Sequence, residues 1–272
     1  MRGLYNVAVI ALATCVEGIR HKVLWAIVCL AVLLSLANIW ITELFSWDLG
    51  KVSVEFGLST VAFTGLLLVF FLGNKMLTDD LEHKRICMTL SRPVGIWQYL
   101  MGKFTGLALV LAAATCILGA AATLSLRYVL WRYAQFVPPD FTWLNYFLAL
   151  GCQWMGLVMV AAVMVLCFSF ASSGFVALLL SVCAYLVGQN MDLLRRVVLE
   201  NPYAGVLSNE ERVVVGLSWV FPNLSFFDKK YEAAYGVSIA FGDVLWLSAY
   251  CFSYSLLLVY IGAALFRRRE LI

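Results

Sequence analysis

The sequence predicts an all-α, polytopic membrane protein, and three observations carry that prediction. Of its 272 residues, 63% are hydrophobic and 13% charged, with a mean hydropathy of +0.91; soluble domains carry about a quarter charged residues. Six apolar runs, at 23–41, 56–72, 104–126, 143–170, 174–187 and 244–266, suit a hydrocarbon core that takes about 20 helical residues to cross, the fifth being short. The runs are continuous, which selects helices over a barrel of strands alternating polar and apolar residues.

Before the first run, residues 1–22 read as a helix lying in the membrane interface. At about 100° per residue, Arg2, Asn6, Glu17 and Arg20 fall within an arc of roughly 60°, with apolar residues around the rest. The alternative is an uncleaved signal-anchor extension of the first span; Thr14 before Cys15 is a poor match to a lipoprotein cleavage box.

Between the second and third runs lies a charged, proline-punctuated insert, residues 77–103, expected as helix, break, helix. Asp79, Asp80 and Glu82 suit a helix N-terminus, Ser91-Arg92-Pro93 interrupts, and a second helix re-enters from Gly95. Trp97, Tyr99 and Lys103 are expected to anchor that helix at the headgroups. Gly102 and Gly106 form a GxxxG pattern, a signal for close helix packing.

Orientation follows from the basic residues. With the N-terminus inside, eleven of the 19 Lys and Arg face the cytoplasm, three (Lys51, Arg127, Arg132) lie in short outer loops, and the remainder in one long outer loop. Both termini and the 77–103 insert are thereby placed in the cytoplasm. The charge of +3 is a topology signal and gives no reason to expect a nucleic-acid partner.

Residues 189–243 are too long for an ordinary connection. The apolar pieces 191–199 and 213–221 read as short helices that sit on or dip into the outer leaflet, with Pro222 ending one of them; a solvated folded cap is the alternative. None of the eight cysteines falls in a predicted outer loop and no CxxC pair occurs; His21 and His83 offer little for a metal site.

Several chemistries lack their residues. The span interiors contain no Asp, Glu, Lys, Arg or His, whereas ion-coupled transport and intramembrane proteolysis call for ionisable groups at depth. Glu210 and Glu211 read as solvated charges. Gly102-Lys103 is the one fragment like a phosphate loop, but Trp97 stands where its first glycine is needed and Phe104 where Mg²⁺ needs Ser or Thr. Asn38, Thr60, Thr64, Thr115, Gln153 and Ser253 are candidates to pair helices or line a path, and Gln153 favours a helix-helix bond.

Residues along nearly the whole chain resemble the permeases of the ABC type-2 (type V) exporter family, including those of multi-copper-enzyme maturation. The motifs are Leu90-Ser91-Arg92-Pro93 followed by Tyr99-Leu100-Met101-Gly102-Lys103-Phe104, Phe221-Pro222-Asn223-Leu224 before the last run, and the ending Phe266-Arg267-Arg268-Arg269-Glu270. One departure precedes the break, where Arg85-Ile86-Cys87-Met88-Thr89-Leu90 replaces the family's Glu-x-Gly-Thr-Leu.

The resemblance implies a single permease domain over 1–272 in the bacterial inner membrane, itself without a nucleotide site or catalytic residues. Its implied partners are two ABC ATPase subunits, which bind the ATP and Mg, and a second permease chain, identical or not. Membrane lipid and an extracytoplasmic accessory protein complete the implied set. The insert becomes a coupling helix, with Asp79, Asp80, Glu82, Arg85, Leu90, Ser91, Arg92 and Pro93 at the ATPase contact, and Phe221, Pro222 and Asn223 become an outer gate. Two activities fit: export of a hydrophobic or amphipathic substrate, or transmission of ATPase motion to an outside partner without transport.

Overall fold

The computed structural model describes residues 2–44, 49–82, 95–133, 141–199, 216 and 221–267, and among these 91% are helical and none is in a strand. The elements are α1 (Arg2–Arg20), α2 (Lys22–Leu44), α3 (Leu49–Leu67), a π turn (Leu68–Gly73), α4 (Asn74–Glu82), α5 (Ile96–Arg132), α6 (Trp143–Phe170), α7 (Gly174–Leu199), a 3₁₀ turn (Ser225–Phe227), α8 (Lys230–Tyr235) and α9 (Phe241–Arg267). Among the described residues seven stretches are long and apolar enough to cross a membrane: α1, α2, the run from α3 into α4, α5, α6, α7 and α9. This is a helical membrane protein.

Helix α5 organises the bundle. Its 37 residues give it a length of about 55 Å at 1.5 Å per residue, well beyond a hydrocarbon core. Helices α1, α2, α3, α6 and α9 all pack on it. The deepest core lies where α3, the π turn, α5 and α6 meet, with Leu58, Leu68, Leu72, Leu111, Leu118 and Leu157 fully buried. A side chain on Gly65 would strike Leu157, and one on Gly73 would come within 3.2 Å of Leu107 and Met164. Such close approach is how helices associate where no hydrophobic drive separates them from their surroundings.

The first helix does not sit as its polar arc suggested. Asn6 and Glu17 turn inward, Asn6 donating to the Gln98 carbonyl oxygen (3.2 Å) and Glu17 pairing with Lys103 (3.4 Å). The outward face carries Leu4, Tyr5, Val9, Leu12 and Val16. An apolar outer stripe calls for an apolar covering, and the inner polar groups of α1 are served by α5.

Direction matters as much as face. Gly3 lies against Gln98 and Gly18 against Val110, so α1 runs parallel to the first four turns of α5. His21 alone separates α1 from α2, and α2 continues the same way until Asn38 reaches Ser125. The two helices together accompany α5 once, end to end.

The insert also differs from expectation. Asp79, Asp80 and Glu82 were placed at a helix start, but they close α4, which continues the helix from Leu49 through the π turn. The re-entry at Gly95 is as expected, since α5 begins at Ile96. Arg85, Leu90, Ser91, Arg92 and Pro93 lie outside the described residues.

The fifth apolar run extends past Val187 to Leu199 as α7, so 191–199 is the end of that helix and not a separate outer helix. The following piece, 213–221, lies outside the described residues except Gly216 and Phe221. From Phe221 the chain turns inward. The Leu224 N–H donates to the Gly188 carbonyl (3.1 Å), and Phe227 packs on Gly156. Gly156 is thirteen residues into α6, about 20 Å from its start. From Phe221 the segment therefore dips between α6 and α7, well along α6. Gly236, with φ 72°, ends α8 in the left-handed conformation glycine tolerates. The Asn145 amide then holds the return to α9 by donating to Val237 O (3.2 Å) and accepting from Ile239 N (3.5 Å).

The α1 contact gives a stability test. A Cβ on Gly106 would lie 2.5 Å from Thr14 Cβ and 2.7 Å from the Ala11 carbonyl oxygen, whereas one on Gly151 meets open space. Overpacking costs about 1–3 kcal/mol. Gly106→Leu is expected to lower the unfolding temperature in detergent by several degrees, and Gly151→Leu to leave it within about 1 °C, as read by a thermal shift assay.

Candidate functional site

Among the described residues, two sites bring charged side chains into the apolar bundle. The first sits where the insert leaves and rejoins it. Asp80, in the last turn of α4, and Lys103, in the second turn of α5, are 4% and 6% exposed. Their charges meet at 2.7 Å. The Tyr99 hydroxyl donates to the same Asp80 oxygen at 2.5 Å, and Lys103 reaches Glu17 of α1 at 3.4 Å.

Local sequence explains why Asp80 needs this company. A carboxylate at a helix C-terminus faces the negative end of the macrodipole, at a cost of about 0.3–1 kcal/mol, and burial adds desolvation. Tyr99 and Lys103, four residues apart, present a donor and a cation on one face of α5. Both, expected to anchor the helix at the headgroups, are buried with their polar ends on Asp80. Trp97 is 39% exposed and meets Tyr260 of α9 edge-on at 5.5 Å. Asp79 makes an exposed i,i+4 pair with Lys75 (3.7 Å), worth little.

The cluster is braced on every side. Gln98 Oε1 accepts from both the Gly95 N–H (3.4 Å) and Asn6 (3.2 Å), tying the start of α5 to α1. Gly174 at the start of α7 packs directly on Thr78 of α4. Both legs of the insert thus join one polar knot with α1, while α7 abuts it.

The second site lies at the dipping segment. Gln153 of α6, Tyr185 and Gln189 of α7, and Asp228 and Lys230 surround a cavity of about 50 Å³. At about 10–15 Å³ of such volume per water, it has room for roughly three to five. Lys230 pairs with Asp228 (3.1 Å), and beside it Lys229 pairs with Glu232 (2.8 Å). Gln153, expected to bond another helix, has no hydrogen-bond partner among the described residues and faces this cavity.

The other polar candidates separate cleanly. Asn38 is fully buried and donates to the Ser53 carbonyl (3.3 Å), Ser53 Oγ (3.2 Å) and Ser125 Oγ (3.4 Å), joining α2, α3 and α5. Thr64 and Thr115 bond their own helices at Thr60 O (2.6 Å) and Leu111 O (2.9 Å), as Ser253 does at Tyr250 O (3.2 Å). Thr60 is buried beside Thr64. At the dip, Pro222 is buried and Phe221 half-buried; Asn223 accepts from Ser225 N (3.1 Å) and its N–H donates to Tyr250 (3.1 Å). These contacts fold and anchor the dip.

Sequence reasoning missed the Asp80–Lys103 pair and the depth of Asp228 and Lys230. The pair spans 23 positions across a predicted loop, beyond any helical spacing. Pro222 and Asn223 did mark the place where the chain turns inward. No family model matches the chain, and no curated protein matches it in sequence.

The knot makes a stability prediction. Removing one partner of a buried pair strands a charge at a cost of about 3–5 kcal/mol. Lys103→Met is expected to unfold the protein at markedly lower temperature, and adding Asp80→Asn, which removes the stranded charge but keeps an acceptor for Tyr99, to restore much of the loss. A double variant no more stable than Lys103→Met would refute the pairing.

Proposed function

We propose that the chain is the membrane subunit of an ATP-driven exporter, coupling hydrolysis by a separate ATPase to movement of a hydrophobic or amphipathic substrate. The observation that carries the reading is the buried set of Asp80, Tyr99 and Lys103, which with the half-exposed Glu17 joins the two legs of the 77–103 insert to α1. A push on the insert is delivered to α4, α5 and α1 together, because parting the legs would leave a charge unpaired in an apolar setting. The resemblance to ABC type-2 permeases supports the same reading.

In this account the ATPase, present in two copies, binds ATP and Mg, and two permease chains face each other in the inner membrane with both termini cytoplasmic. In this reading there are six crossings: α1 and α2 point the same way, and α2 makes the first of them. Glu82, Arg85 and Arg92 supply the polar contacts to the ATPase, and Phe221, Pro222 and Asn223 the outer gate. A second reading, in which the chain passes ATPase motion to an outer partner without transport, is favoured by the anchoring of the dip on α6, α7 and α9 through Asn145, Gly188 and Tyr250.

Two measurements test this. Glu82→Ala/Arg85→Ala/Arg92→Ala is expected to reduce co-purification of the ATPase by tenfold or more, and unchanged association would sink the coupling assignment. In vesicles holding permease and ATPase, export requires ATP-dependent loss of a lipid-like probe. Steady ATP turnover without loss would favour the second reading.

A further inference from the structure

A groove runs between α5 and α6 on the outside of the bundle. Its cavity of about 700 Å³ is lined by Ala112, Cys116 and Ala120 of α5 and by Phe147, Gly151 and Trp154 of α6. Thr123 and Phe147 continue it into a mouth of about 490 Å³ walled by Arg127 and Trp143. Trp154 closes the far end, its indole N–H donating to the Ala108 carbonyl (3.3 Å). Gly151 leaves the floor open, since a side chain there would meet nothing within 4 Å.

Length, lining and charge identify the occupant. Trp143 and Trp154 are eleven residues apart on α6, about 16 Å along the axis, and one leaflet of hydrocarbon is about 15 Å deep. The groove is therefore one acyl chain deep, apolar along its length, with a cation at one end only. Arg127 is exposed and has no ion-pair or hydrogen-bond partner among the described residues. It stands at the level of Trp143 and Trp131, where interfacial aromatics mark the headgroups. A guanidinium there fits a phosphate through paired N–H donors.

We propose that this groove is a phospholipid site, with one acyl chain between α5 and α6 and the lipid phosphate on Arg127. It is separate from the knot and from the cavity beside the dip, and it needs no ATPase partner.

The test uses the full chain in mild detergent, supplied with either phosphatidylglycerol or diacylglycerol of the same acyl chains and read by native mass spectrometry. Phosphatidylglycerol is expected to be retained at one copy per chain, well above diacylglycerol. Arg127→Gln should cut phosphatidylglycerol retention about tenfold while leaving diacylglycerol unchanged, and Gly151→Leu should abolish both by filling the floor. Equal retention by the parent protein and both variants would overturn the site, and an Arg127→Gln loss that is the same for both lipids would overturn the phosphate contact. A second copy is the competing occupant. Cys116 lines the groove and is exposed, so efficient Cys116–Cys116 cross-linking in a chain retaining only that cysteine would assign the groove to a dimer interface and refute the proposal.

Discussion

The contact between Lys103 and Asp80 is the constraint on which the rest of the structure depends. Each ion costs several kcal/mol to remove from water, and their attraction repays this only with excellent geometry and with the leftover hydrogen-bonding groups served. Here Tyr99 serves Asp80 and Glu17 serves Lys103. The chain leaves the bundle at α4 and returns at α5, so the pair closes the base of the insert, and Glu17 extends that closure to α1. Three helices far apart in sequence become one mechanical body at this end.

Toward the other end of α5 a neutral version of the same device appears. Asn38 joins α2, α3 and α5 at Ser53 and Ser125, bonds that matter because an amide left unpaired in an apolar setting is costly. Between the two polar ties, contact is by close approach at Gly65, Gly73, Gly102 and Gly106. Helix α5 is therefore fixed at both ends and tightly packed on its inner faces. Its small outer residues, Ala112, Cys116 and Ala120, leave a groove beside α6 that no described residue fills.

How much of this was legible in the sequence depends on the range of the signal. Helical class and the long apolar runs follow from composition and period, and the re-entry at Gly95 from Pro93 and the glycine. The polar arc of α1 was found correctly as an arc, but a helical wheel cannot say whether polar groups face water or a charged partner; Lys103 made the second choice. Asp79, Asp80 and Glu82 fit a helix start by charge, yet they end one; Asp80 is held against the dipole there by Lys103. Residues 191–199 read as a separate piece because Gly188, Gln189 and Asn190 break the apolar run before them, although the helix runs on unbroken to Leu199. Gln153 looked like a helix-helix contact, and the dipping segment, which no local pattern could place, gave it a polar cavity instead.

That dip answers a difficulty raised by the charge-free spans. Asp228, Lys229, Lys230 and Glu232 come from a loop yet lie beside α6 and α7, where isolated charges would be unfavourable. They are tolerated because they pair locally, two acids with two bases, beside a cavity with room for water. Their sum is zero, so a membrane potential, which acts at about 2.3 kcal/mol per net charge per 100 mV, exerts little net force on the segment. Three groups grip it: Asn145 on α6, the Gly188 carbonyl on α7 and Tyr250 on α9. Helix α6 also packs on α5, which carries Lys103, so the polar knot and the dip are linked through two adjacent rigid helices without a charged relay between them.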